Sequence, residues 1–122
     1  RNMKKLDNTF KMKPLSANKM FGARGKRTFK SPEYVAYQNE IRDDLMGTDW
    51  PFDVDQVSFI VTAGLSNRGA DIDNVIKPIL DTYQGIFEKF NDNKVYYVEL
   101  HKEIVRKGEE FLRIRVTSYI GA

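Results

Sequence analysis

Residues 56–65 (QVSFIVTAGL) carry an apolar side chain at every second position: Val57, Phe59, Val61, Ala63 and Leu65 alternate with Gln56, Ser58 and Thr62. Period-two alternation describes a strand with one buried face. A polar stretch, residues 66–73 (SNRGADID), follows, and then Val75, Ile76, Ile79, Leu80, Tyr83, Ile86 and Phe87 recur at helical spacing. A one-faced strand that leads into a one-faced helix has to bury both apolar faces, which restricts the chain to layers of sheet and helix. With 122 residues there is room for one such domain, 1–122. There is no Cys, which excludes disulfides, thiolate zinc sites and a Cys nucleophile.

The remaining segments extend this pattern. Leu6, Phe10 and Met12 fall on one side of an alternating run, so residues 4–13 read as a strand that Pro14 ends. Residues 14–30 (PLSANKMFGARGKRTFK) read as a loop, with Pro14, Gly22 and Gly25 and no clear period. Ser31 and Pro32 open a helix as N-cap and first helical residue; Tyr34, Tyr37, Ile41 and Leu45 carry its stripe and Gly47 stops it. Asp73 or Asn74 is placed to cap the second helix, with Pro78 near its first turn. Asn91, Asp92 and Asn93 form a turn. Residues 94–104 read as a strand with Tyr96, Val98, Leu100 and Ile104 inward, and residues 106–109 turn it into a partner strand, 110–119, with Leu112, Ile114 and Val116 inward. The expected fold is α+β: a single domain with a mixed sheet, order β-α-β-α-β-β, and both helices on one face.

Charge is unevenly placed. Residues 1–30 hold ten basic side chains and one acid, a balance of +9, whereas residues 31–122 balance at −6. A basic arm ahead of an acidic body suits a polyanion, nucleic acid foremost; the plain alternative is a solvated lysine-rich surface. Within the arm, Phe21 and Phe29 sit among Lys19, Arg24, Lys26, Arg27 and Lys30. Aromatic rings between cations suit stacking on unpaired bases with phosphate contact, and the alternative is that both rings pin the loop to the core. The apolar runs are short, so no segment spans a membrane, and the expected location is cytoplasmic.

Three acids stand out. Asp71 and Asp73 lie between a strand and a helix, and Asp92 lies between that helix and the next strand. A parallel crossover would separate them to opposite ends of the sheet; an antiparallel return, or Asp92 from a second subunit, would let them converge. Clustered carboxylates call for a cation, and an oxygen-only donor set suits Mg²⁺ or Mn²⁺. The alternative makes Asp73 a helix cap and the other two loop acids. Lys77, one turn into the helix, is placed to meet a phosphate, and Asp81 is placed to pair with it at i,i+4. His101 lies outward beside Glu99 and Glu103 with no Ser–Asp partnership, which argues against a hydrolase triad; neither a P-loop nor a calcium loop is present.

The run Arg68-Gly69-Ala70-Asp71-Ile72-Asp73-Asn74-Val75-Ile76-Lys77-Pro78, followed by Asp81 and by Asn91-Asp92, resembles the signature of RusA-type Holliday junction resolvases. That pattern is acid-x-acid-Asn, a lysine three residues later, and an acidic turn after the helix. Residues 14–18 (PLSAN) resemble the family's Pro-x-Ser-x-Asn segment, and Lys102 matches a lysine often found in its third strand. The resemblance runs from about Phe10 to Val116. The chain departs from the family at Asn91, where an acid is usual, and in having only Arg68 as a basic residue just ahead of Gly69-Ala70.

The resemblance implies a Mg²⁺-dependent endonuclease (Mn²⁺ as the other ion) that acts as a homodimer on four-way, branched DNA in a bacterium or a bacteriophage-infected host. Asp71, Asp73 and Asp92 would bind the metal, and Lys77 would be the catalytic lysine at the scissile phosphate. Asn18, Lys19, Arg24, Lys26, Arg27, Lys30, Arg68 and Lys102 would contact DNA. Two opposed strands must be cut, and a two-fold dimer offers two equivalent sites. A nuclease for other branched or flapped DNA, a non-catalytic DNA-binding module, and a structural protein with capping acids are the competing readings.

Overall fold

A computed structural model describes residues 4–119. Arg1 of the basic segment and the outermost ends of the 1–122 domain lie outside the described residues. The fold is α+β. Its strands are β1 (Lys5–Phe10), β2 (Phe21–Arg24), β3 (Arg27–Lys30), β4 (Val57–Leu65), β5 (Val95–Ile104) and β6 (Phe111–Ser118), and its helices are α1 (Pro32–Leu45) and α2 (Ile76–Ile86). Among the described residues no helix is long and apolar enough to cross a membrane.

The main sheet has the order β1-β6-β4-β5. β6 is antiparallel to both β1 and β4, and β5 is parallel to β4, so the sheet is mixed. The alternation in β4 sets its faces. Val57, Phe59, Val61 and Ala63 are fully buried, level with Leu112, Ile114 and Val116 of β6 and with Leu6 and Phe10 of β1. The helices cover this face: Tyr34, Tyr37, Ile41 and Leu45 of α1 and Ile79 and Tyr83 of α2 join one core with the strand residues. The Phe59 and Tyr83 rings meet edge to face at 5.5 Å, and Gln38 of α1 donates to the Thr82 hydroxyl of α2 at 3.2 Å. Truncating a fully buried residue such as Ile41 or Ile79 to Ala would cost about 2–5 kcal/mol. The opposite face is open and holds the Asp7–Arg113 pair and the Tyr97–Glu99–His101 group.

The helix signals operate as the sequence implies. Ser31 caps α1 by accepting from the Tyr34 N–H at 3.1 Å, with Pro32 next, and Gly47 leaves the helix with φ +81°.

Four expectations are corrected. Residues 14–30 are not all loop: Ala17–Lys19 form a 3₁₀ turn, and β2 and β3 pair as a separate hairpin. Gly25 and Lys26 are its two-residue loop, and the positive φ of Gly25 alone is the type II′ pattern. The first strand ends at Phe10, short of Pro14. The residues after β5 do not make a hairpin, because β6 pairs with β4 and not with β5. β5 is therefore an edge strand, and Tyr96, Val98 and Ile104, expected inward, are exposed; of that set Leu100 packs against the core.

Candidate active site and nucleic-acid interface

The loop after β4 is shaped by its own polar side chains. Asn67 accepts from the Gly69 N–H through its side chain at 2.9 Å, and its carbonyl accepts from the Ala70 N–H at 3.2 Å. The Lys102 ammonium, on β5, donates to the carbonyls of Arg68 (2.7 Å) and Ala70 (2.6 Å). Ser66 donates to Glu110 at 2.7 Å from the other side. The loop is thus held at both flanks where it presents Asp71.

Asp71 stands at the N-cap position of a 3₁₀ turn, Ile72–Val75, that leads into α2. This replaces the expected cap: neither Asp73 nor Asn74 caps α2, which starts after Val75 without a side-chain cap, and Asp71 makes no capping hydrogen bond either. Asp71 and Asp73 are both exposed and form no ion pair among the described residues. Asp71 lines a cleft of about 260 Å³ together with Ala70, Asn74, Leu65 and, from the N-terminal segment, Pro14 and Ser16. The two segments that carry the family resemblance, about 55 residues apart in the chain, therefore face each other.

Lys77 lies in the first turn of α2, and its ammonium pairs with Asp81 at 3.0 Å, as the i,i+4 spacing predicts. Asp81, through hydrogen bond and charge, and Asp92 at longer range push the Lys77 pKa up. The side chain is protonated at neutral pH and largely exposed.

Asp92 is held at the other end of α2. Its N–H donates to the Gln84 side chain at 2.9 Å, and Asn91 caps the turn Asp92–Lys94 by accepting from the Asn93 N–H. Because β4 and β5 are parallel, Asp92 precedes the end of β5 remote from Lys102 and the Asp71 loop. Among the described residues no three His, Asp or Glu side chains gather closely enough to hold an ion. One chain brings Asp71 and Asp73 into a single turn and leaves Asp92 apart.

The basic hairpin stands at the N-terminal end of α1. Phe21 packs edge to face on Tyr34 at 5.8 Å, Lys30 lies 5.4 Å over the Tyr34 ring and donates to Gln38, and the Phe29 ring lies over Gly22. Phe21 and Phe29 are both about half exposed; Phe21 rests against the core through Tyr34, whereas Phe29 packs within the hairpin over Gly22. At the tip Arg24 and Arg27 are directly opposite each other around Gly25 and Lys26. Arg24, Arg27, Thr28 and Phe29 line an open cleft of about 440 Å³. Like charges placed opposite one another cost stability, so this tip is better suited to an anion than to the free chain. Asn18 and Lys19 lie in the exposed 3₁₀ turn just before the hairpin, and the Lys19 carbonyl accepts from Ser31. Sequence reading missed the hairpin; its one signal was Gly25-Lys26 between two four-residue arms.

No family model matches the chain, and no curated protein matches it.

Proposed function

We propose that this chain is a divalent-metal-dependent endodeoxyribonuclease that acts as a homodimer on four-way DNA junctions. The observation that carries the reading is the cleft in which Asp71, next to Asp73 and one turn ahead of Lys77, faces Pro14 and Ser16. These are the residues of the RusA-type signature, and an exposed hairpin of cations and aromatic rings accompanies them.

The donor set fits a hard cation. Asp71 and Asp73 offer only oxygen, and both are exposed and free of ion pairs among the described residues. Mg²⁺ or Mn²⁺ takes such ligands and keeps several waters. Asp71 and Asp73 of one chain and Asp92 of a second would hold it, since the parallel crossover separates Asp92 from the other two within a chain. When bound, the ion lowers the pKa of a coordinated water and neutralises phosphate oxygens.

The chain's own groups supply the rest. Lys77 keeps its proton and offers a fixed positive charge to a phosphate at the start of α2. Lys102 keeps the Asp71 loop in place from β5. The hairpin cations hold the DNA backbone, and the exposed Phe21 and Phe29 rings provide stacking surfaces where a branch point unpairs bases.

The deciding experiment incubates a labelled four-way junction, a flap and a linear duplex with the chain, in Mg²⁺ and in EDTA, beside Asp73→Asn. Paired symmetric nicks confined to the junction, dependent on Mg²⁺ and lost in the variant, are expected. Cleavage of the flap alone would move the substrate. Binding without cleavage in any divalent metal would replace the enzyme with a DNA-binding module.

A further inference from the structure

Residues 66–71, which lead from β4 into the candidate site, bury almost nothing: Ala70 is partly buried and the other five are exposed. Leu65 before them and Ile72 after them pack against the core. A loop with so little apolar burial takes its place from hydrogen bonds, and such segments open at the lowest cost in free energy.

One of those bonds ends on a buried acid. Glu110 stands just ahead of β6 and is only 9% exposed. Its Oε2 accepts from the Ser66 hydroxyl at 2.7 Å, and its Oε1 accepts from the Gly108 N–H at 2.8 Å. The carboxylate thus bridges two connections at one end of the sheet, the one from β4 to α2 and the one from β5 to β6. The second connection is shaped to meet it. The Glu109 N–H donates to the Arg106 carbonyl at 2.9 Å, and Gly108 takes φ +94°, a left-handed value that suits glycine.

A buried carboxylate costs desolvation, and Glu110 forms no ion pair among the described residues. What it brings is strength of bonding: hydrogen bonds to an ionised acceptor are roughly twice as strong as neutral ones. The Ser66 bond first, and then those from its own N–H and from Gly108, hold the Glu110 carboxyl below its usual range against the opposing effect of burial, so the acceptor is ionised at neutral pH.

We propose that Glu110 is a positioning residue: through Ser66 it fixes the loop that presents Asp71 to a divalent cation. The inference rests on the metal-dependent reading of Asp71 and adds a residue outside the candidate ligand set.

The sheet order explains why this bond matters beside the one from Lys102. β5 and β6 flank β4 on its two sides, so Lys102 and Glu110 hold the loop from opposite directions. Two opposed attachments fix a direction as well as a place. With the Ser66–Glu110 bond gone, the loop is fastened toward β5 alone and can swing about Lys102. Groups that bind a cation must be held within about 0.5 Å of their working geometry, so the loosened loop loses metal before the chain loses its fold.

The test reads the loop and the metal separately from cleavage. Ser66→Ala is the primary variant, because Ser66 is exposed and its replacement leaves the core untouched. Amide order parameters at Gly69 and Ala70 are expected to fall from about 0.85 to below about 0.6, while Val61 in β4 keeps its value. Mn²⁺ alone, titrated into the DNA-free chain, is expected to bind about tenfold more weakly, and single-turnover junction cleavage to fall roughly 10–100-fold at unchanged junction affinity. Ser66→Thr keeps the hydroxyl and is expected to recover both. Glu110→Gln can still bond Ser66 and Gly108 through a neutral amide, and is expected to lie between wild type and Ser66→Ala. If Ser66→Ala does not fold, Glu110→Gln decides by the same readings.

A contact that only stabilises the fold predicts a lower unfolding midpoint in Ser66→Ala with Mn²⁺ affinity and cleavage rate unchanged. That result overturns the inference and leaves the nuclease reading intact, as does a loop that stays rigid in the variant. A loosened loop with weakened Mn²⁺ binding, in a chain whose wild type cuts no DNA, supports the role of Glu110 and refutes the nuclease alone. A wild type that neither binds Mn²⁺ nor cuts DNA overturns both.

Discussion

The Lys102 ammonium donates to the Ala70 carbonyl at 2.6 Å, which fastens the far end of β5 to the residue just before Asp71. With the second bond to Arg68, two of the ammonium's three donors are directed into the chain. These two bonds tie the loop to β5.

That assignment separates two outcomes for Lys102→Met. If the lysine holds the loop, the cleavage rate falls roughly 10–100-fold, as for other groups that orient ligands from behind, while junction affinity and its salt dependence stay the same. If it contacts phosphate, affinity falls and the slope of log affinity against log salt drops by about one unit. Junction binding at several salt concentrations, read beside single-turnover cleavage, distinguishes the two, and the first is expected.

Lys77 and Asp81 make a prediction about alkaline pH. Asp81 first, and Asp92 more weakly, raise the Lys77 pKa. A raised folded-state value means that the pair's stabilisation is complete below the ordinary lysine pKa and is lost as pH rises through the folded value. Lys77 therefore contributes no limb to the cleavage profile below about pH 10. In Asp81→Asn the alkaline limb moves to lower pH, and stability falls by only about 0.3–0.5 kcal/mol, the usual worth of an i,i+4 pair. Lys77→Ala reduces cleavage much more than binding. An equal loss of both would make Lys77 a plain phosphate contact.

How far the sequence could be read depended on whether the deciding interaction was local. The β4 alternation and the Ser31-Pro32 helix start are local signals, and both appear where expected. Tyr96, Val98 and Ile104 have the spacing of an inward face, but burial depends on which strand lies alongside, and β6 passes over to β4 and leaves β5 at the edge. The β2–β3 hairpin was hidden because four-residue arms are too short to establish a period. In the site, the proximity of Asp71 and Asp73 follows from spacing, and their approach to Pro14 and Ser16 follows from tertiary packing. The position of Asp92 turns on the direction of β5, a non-local property that residues 71–92 do not encode.

The Asp7–Arg113 pair on the open sheet face predicts an acid sensitivity. Arg113 donates from two nitrogens, at 3.1 and 2.8 Å, bridging β1 and β6, and this bonding holds the Asp7 carboxyl below its usual pKa, with partial burial opposing. A depressed folded-state value gives stability that is present above the ordinary Asp pKa and is lost as pH falls through the folded one. Asp7→Asn should therefore lower the urea midpoint at pH 7. The gap between variant and wild type should close below about pH 4, where the ordinary carboxyl titrates. A gap that persists unchanged to the most acidic pH at which both chains fold would assign the effect to packing instead of charge.

Arg24 and Arg27 face each other at the hairpin tip, and this arrangement sets stability against binding. Arg24→Glu turns a like-charge pair into an opposite-charge pair, so the isolated chain should be as stable as wild type or more so, by about 0.2–1 kcal/mol. If the tip grips a phosphate backbone, the same change removes one cation and adds an anion, and junction affinity should fall with a salt slope smaller by at least about one unit. A structural role for the tip predicts stability and binding moving in the same direction. Thermal unfolding and salt-dependent junction binding on one preparation of Arg24→Glu measure both, and the opposite signs expected here would place the hairpin at the DNA.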